Sequence, residues 1–139
     1  MSQPLLQMRG IALSHRDWQA QNEKRLHIRA TWSRFFENFD VLLCPCALVP
    51  AFPHDHNPDM QARELQVNGE QRPYMDILSW AGLTLNAYLP ITAVPVGQSR
   101  DSLPIGMQIV APYLGDLTSL AVGKLLEVHH RGFVAPPGY

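Results

Sequence analysis

The residues with the clearest chemical potential are His54, Asp55, His56 and Asp59, two imidazoles and two carboxylates within six positions. These groups can ligate zinc or another divalent ion. In an extended segment, alternation puts His54 and His56 on one side. Yet the segment sits among Pro45, Pro50, Pro53 and Pro58, where no regular element fixes a ligand geometry. The reading is therefore a solvated loop or a pocket wall, and no metal is expected. His54, Asp55 and His56 stand as the candidate substrate-binding residues.

Other reactive types are sparse. Cys44-Pro45-Cys46 is too close for a loop-closing disulfide of ordinary geometry and too small for a four-ligand zinc site, so buried reduced thiols are expected. Ser79, Ser99 and Ser102 lack a nucleophile-elbow pattern, since Gly97-Gln98-Ser99-Arg100-Asp101 has no second glycine. A Ser-His-Asp triad is not expected. Arg25 lies on the same helical face as Trp18 and Trp32, where it stacks on a ring or pairs with a carboxylate. Asn86 reads as a residue that ties down a turn.

Those residues need elements to hold them. A chain of 139 residues with 46% hydrophobic and 17% charged residues can bury a core and is no disordered polymer. Eleven Lys and Arg against twelve Asp and Glu leave no cationic excess for nucleic acid. The sequence has no apolar run of ~20 residues for a membrane span, and the opening residues lack a signal-peptide pattern. A cytoplasmic protein without cofactors is the expectation.

After an irregular opening, Ser14 and Asp17 form a capping box, and Trp18, Arg25, Ile28, Trp32, Phe35, Phe36 and Phe39 recur on one face of a helix running to about Asn38. Val41 to Cys44 is a continuous apolar run, as in a strand of a mainly parallel sheet covered on both faces. Residues 45–62 read as an irregular loop. Asn68-Gly69 joins 64–67 to 70–72 as a hairpin, because the pair tolerates the positive φ of a two-residue turn. A second helix opens at Pro73 and turns Tyr74, Ile77, Leu78, Ala81, Leu85 and Tyr88 inward. Strands over 91–96 and 105–110, joined by the polar turn 97–102, predict an antiparallel pair. A last helix is capped at Gly115-Asp116 and ends near Arg131-Gly132, with Leu117, Leu120, Ala121, Leu125 and Val128 inward. The fold class is α/β, a partial mixed sheet flanked by amphipathic helices. So few strands leave the sheet short of partners and cover, as in part of a larger protein.

Three stretches in order carry a resemblance. They are Asp40-Val41-Leu42-Leu43-Cys44-Pro45 leading to Pro50-Ala51-Phe52; Asn86 through Pro90 to Val94-Pro95-Val96-Gly97; and Leu103-Pro104-Ile105-Gly106-Met107-Gln108-Ile109-Val110 with Ala111-Pro112 and Gly115-Asp116. Together they resemble the C-terminal third of amidase-signature enzymes, from about residue 9 onward. The resemblance implies a large mixed sheet flanked by helices and hydrolysis or transfer at a carboxamide. It also implies that the nucleophilic serine, bridging serine and catalytic lysine lie in a segment outside this chain. Residues 1–139 are then one piece of an amidase domain, with a small amide as substrate of the intact enzyme. One departure stands out: Tyr88-Leu89 precedes Pro90 where the family usually has a glycine, which reshapes the nearby pocket.

The residues agree with that division. Such a mechanism needs a neutral buried lysine and a Gly- and Ser-rich loop supplying oxyanion donors. This sequence has no Ser-Ser pair, and Lys24 and Lys124 fall on amphipathic helices as snorkelling side chains. Scaffold and pocket wall is the expected role, with no catalytic residue in this chain. The alternative class is a non-catalytic interaction module that associates through sheet edges and the aromatic helix face. Self-association, or pairing with a separate catalytic segment, follows from either reading.

Overall fold

The computed structural model describes residues 8–135 and 138. The irregular opening lies outside these residues at positions 1–7 and is helical over 8–11. Helix α1, His15–Phe35, begins where Ser14 caps it: the Ser14 Oγ accepts from the Asp17 amide at 3.1 Å and donates to the Asp17 carboxylate at 2.7 Å. That reciprocal pairing satisfies one of the orphan amides of the first turn. The helix ends as Phe36, Glu37 and Asn38 bond back to Trp32, Arg34 and Phe35.

No residue of α1 is buried outright. Its aromatic end does the packing. Phe35 meets Phe36 edge-on at 5.1 Å and stacks on Phe39 at 4.7 Å, while Trp32 and Phe36 lie against the core. The core itself is Cys44, Ala87, Leu89 and Val110, flanked by Leu42 and Trp80.

Strands β1 (Leu42–Pro45), β4 (Ile91–Gln98) and β5 (Pro104–Val110) make one sheet in the order β1-β5-β4. The β4–β5 pair is antiparallel as expected, with a bulge between Pro95 and Gly97. β1 also runs antiparallel to β5, pairing Leu42 with Val110 and Leu43 with Ile109, which corrects the parallel reading of the 41–44 run. An apolar run carries no information on direction, and the expected cover on both faces is also corrected, since Leu43 is 47% exposed and Cys44 alone of β1 is buried. Pro95 costs no ladder bond where β4 is the sheet's edge.

Strands β2 (Glu64–Val67) and β3 (Glu70–Pro73) form the predicted hairpin, with Asn68 at φ 53° and Gly69 at φ 88°. Pro73 closes β3 opposite Glu64 and stands as the N-cap of the next helix, one position before its expected place at the first helical residue. That helix is split into a 3-10 segment, Tyr74–Leu78, and α2, Ser79–Leu85. Three residues per turn in the first part shift the phase of everything after it. The buried side is consequently Thr84, Ala87 and Leu89, whereas Leu85 and Tyr88 of the expected inward stripe are exposed.

Helix α3, Asp116–His129, sits on β4 through small residues. Ser119 and Gly123 are buried, and the Thr92 hydroxyl donates to the Ser119 Oγ at 2.8 Å. A Cβ at Gly123 would lie 3.4 Å from Val94 and 3.5 Å from Thr92, ordinary contact distances, so the helix backbone lies close against the sheet here. The expected inward stripe is therefore corrected: Leu117 is 81% exposed and Val128 68%. The apolar periodicity is real, but it points away from this sheet. Among the described residues no helix is long and apolar enough to cross a membrane.

Candidate functional site

The proline-rich loop folds itself by side chain to backbone bonds. The Asp55 carboxylate accepts from the Asn57 amide at 2.8 Å, the Asn57 amide oxygen from the Asp59 amide at 3.0 Å, and the Asp59 carboxylate from the Gln61 amide at 2.9 Å. Such i to i+2 bonds are what Asp and Asn offer a turning chain. Arg63 adds a donor to the Asn57 carbonyl at 2.8 Å. Asp55 and Asp59 thus each commit one carboxylate oxygen to holding the loop.

The His54 and His56 rings lie 5.7 Å apart, on one side as alternation predicts. Among the described residues no three His, Cys, Asp or Glu side chains group so as to hold a metal ion. Two cavities flank the loop. The larger, about 500 Å³, is bounded by Phe52, His54 and Asp55, by Leu65 and Gln71 of the hairpin, and by Asp101 of the β4–β5 turn. The smaller, about 320 Å³, lies between His54, Asp55, Arg63 and Tyr74. His54 and Asp55 line both, and His56 lines neither. Phe52 meets Tyr74 edge-on at 6.2 Å and Arg63 lies 5.7 Å from the Tyr74 ring, giving the wall an aromatic floor. This is a concave surface with apolar lining and a few convergent polar groups, the form a small-molecule site takes.

Ser79 and Ser99 are engaged in structure. Ser79 donates to the Asp76 carbonyl at 2.6 Å and the Ser99 Oγ accepts from the Leu103 amide at 3.2 Å. Among the described residues no serine is bonded to a histidine or a lysine. The thiols are free. Burial, and then the neighbouring Cys46, push the Cys44 thiol above its usual value, and burial raises Cys46 likewise. Both are held in the poorly nucleophilic protonated form. Gln108 donates to the Pro45 carbonyl at 2.7 Å across the strand pair and fixes the backbone between them.

Arg25 stacks, but on a different ring from those sharing its helix face. Its guanidinium lies 4.2 Å from the centre of Tyr88, and one helical turn later Arg29 lies 4.0 Å from the centre of Tyr113. Two loops at one end of the sheet are thereby fastened to α1, and the Ala111 amide to Pro90 carbonyl bond, 3.1 Å, ties those loops to each other. Sequence reasoning missed both tyrosine partners. The available signal was Tyr88 standing where the family's glycine is usual, for its φ is 56°. The left-handed region favours glycine, and a tyrosine there is strained.

The chain belongs to the amidase family: the Amidase family model matches residues 3–120. It is 33% identical over 114 residues to the A subunit of the glutamyl-tRNA(Gln) amidotransferase of Maricaulis maris, covering 81% of this chain and 21% of that protein. The corresponding protein of Synechococcus sp. RCC307 is 36% identical over 109 residues, covering 77% of this chain and 19% of that one. Among solved structures, an amidase superposes over 94% of this chain and 29% of its own, with TM-score 0.71 and 22% identity. A bacterial aryl acylamidase of the amidase-signature enzymes covers 92% of this chain and 26% of its own, with TM-score 0.63 and 25% identity. The chain spans about a fifth of the length of the curated relatives it matches.

Proposed function

We propose that this chain is the C-terminal part of an amidase-signature hydrolase acting on carboxamide C–N bonds. It supplies scaffold and one wall of the substrate pocket, and the serine nucleophile and its lysine base lie on another segment or chain. The observation that carries this reading is the pair of cavities on the proline-rich loop, in a chain of the amidase family whose Ser79 and Ser99 hydroxyls are bonded to the backbone. His54 and Asp55 are the residues of that wall able to bond a polar group of the substrate. His56 falls outside it and faces its neighbour ring.

The chemistry follows from the division of labour. Amide cleavage needs an activated nucleophile and donors aimed at the oxyanion, and both must be held within a fraction of an ångström. A wall fixed by three successive side-chain turns contributes orientation and exclusion of water. The working protein is cytoplasmic and needs no cofactor. Its test is an assay of the purified chain against simple and aryl amides. No turnover above background is expected, because removing the whole nucleophile and base set leaves only binding effects. Turnover that survives extensive purification and disappears on changing a serine of this chain would overturn the reading.

A second reading, a non-catalytic interaction module, is favoured by one observation: the outward stripe of α3, where Leu117, Leu120, Leu125 and Val128 are all exposed. A stripe of that kind marks a contact surface in either case.

A further inference from the structure

A separate cavity of about 430 Å³ opens between α1 and the turn that joins α2 to β4, and it shares no lining residue with the two loop cavities. Its walls include Trp18, Gln21, Lys24, Arg25, Asn86 and Tyr88. Two cations face this space and no carboxylate does. Lys24 has no ion pair, the Arg72–Asp76 pair at 2.8 Å being the one formed among the described residues.

Arg25 is held with unusual firmness for a surface helix residue. Its Nε and Nη2 both donate to the Asn22 amide oxygen, at 3.0 and 2.8 Å, and its plane lies over Tyr88. Its Nη1 is buried without an acceptor. A buried donor left unpaired is a standing cost, and a small movement of the guanidinium toward an incoming anion relieves it. The carboxamides of Gln21 and Asn86 are likewise unengaged among the described residues. Trp18, with His15 stacked on it at 6.1 Å, and Tyr88, with Arg25 over one face, supply the aromatic part of the lining.

We propose that this cavity is a binding site for a small aromatic carboxylate. The charge is met by Lys24 and Arg25, the carboxylate oxygens by the same cations and the Asn86 amide, and the flat body by Trp18 and Tyr88. The volume suits such a ligand, since small-molecule sites span roughly 300–1,000 Å³. The site is independent of the proposed amide pocket, so either can fail without the other.

The test titrates the 139-residue chain with sodium benzoate and follows the three indole N–H resonances, with Trp18 assigned through W18F. A saturable shift confined to Trp18 is expected, and benzyl alcohol, which keeps the ring and lacks the charge, should leave it in place. K24Q alters an exposed residue and leaves the fold intact. It should weaken benzoate binding roughly tenfold, as loss of one charge-assisted contact implies. An R25Q variant should abolish binding, and R25K should restore part of it. The proposal is overturned if the Trp18 shift does not saturate, if benzyl alcohol reproduces it, or if K24Q titrates as the wild type.

Discussion

Tyr88 offers the sharpest test of how this structure balances strain against contact. Its φ of 56° places a bulky L-residue in the left-handed region, at a cost of about 1–2 kcal/mol. Its ring returns part of that through the Arg25 guanidinium 4.2 Å from its centre, about 0.5–1 kcal/mol for an exposed pair. Tyr88 is 61% exposed, so little burial is added. Y88A keeps the strain and loses the contact, and should destabilise the chain by about 0.5–1 kcal/mol. Y88G loses the contact as well but removes the strain, against about 0.5–1 kcal/mol of extra chain entropy in the unfolded state. The glycine variant should therefore be near neutral, and more stable than the alanine variant by up to ~1 kcal/mol. Urea unfolding at constant m reads the difference directly. In an R25Q background the Y88A penalty should shrink, since the partner is already gone. If Y88A proves as stable as Y88G, the backbone strain attributed to this residue does not exist in solution.

Two other outcomes follow from the same packing. G123A should stabilise by about 0.5–1 kcal/mol, because its Cβ meets Val94 and Thr92 at 3.4 and 3.5 Å, ordinary contact distances, while helix entropy improves; G123L should destabilise by about 1–3 kcal/mol by forcing α3 off the sheet, and thermal unfolding by circular dichroism checks both. Wild-type chain should self-associate with rising concentration in light scattering, and L117E with L125E should give smaller species of unchanged helicity; a wild-type monomer across the whole range contradicts this.

The sequence was legible where one or two residues carry the whole signal. Asn68-Gly69 fixed the hairpin because few other dipeptides accept φ of 53° and 88°, and Ser14 with Asp17 fixed the start of α1 because a cap is a local bond. The proline-rich loop was legible as a loop, for proline excludes most regular alternatives; which of His54, Asp55 and His56 border a cavity was not, since the first two do and His56 does not. Direction and phase were not legible. Leu42 to Cys44 pairs with β5 through residues far along the chain, and nothing in an apolar run states which way its partner runs. The 3-10 stretch at Tyr74–Leu78 cannot be read from composition, and Leu85 and Tyr88 stand exposed beyond it. The Arg25–Tyr88 and Arg29–Tyr113 contacts join residues remote in sequence, so no spacing rule reaches them.

A helix that packs on its sheet through Ser119 and Gly123 makes close contact but buries little apolar area, and so this contact alone gives weak support to a sheet of three strands. Meanwhile Leu117, Leu120, Leu125 and Val128, the residues with the larger hydrophobic driving force, stand on the side this chain leaves uncovered. W32S and F36S, obvious changes for disrupting an aromatic docking face, would instead damage the core, since both rings already pack against Cys44, Ala87, Leu89 and Val110. Association is thus expected at α3, with the aromatic end of α1 serving the interior. That assignment reverses the one drawn from hydrophobic periodicity, which ranks residues by how much they want burial and is silent on whether the covering surface belongs to the same stretch of chain.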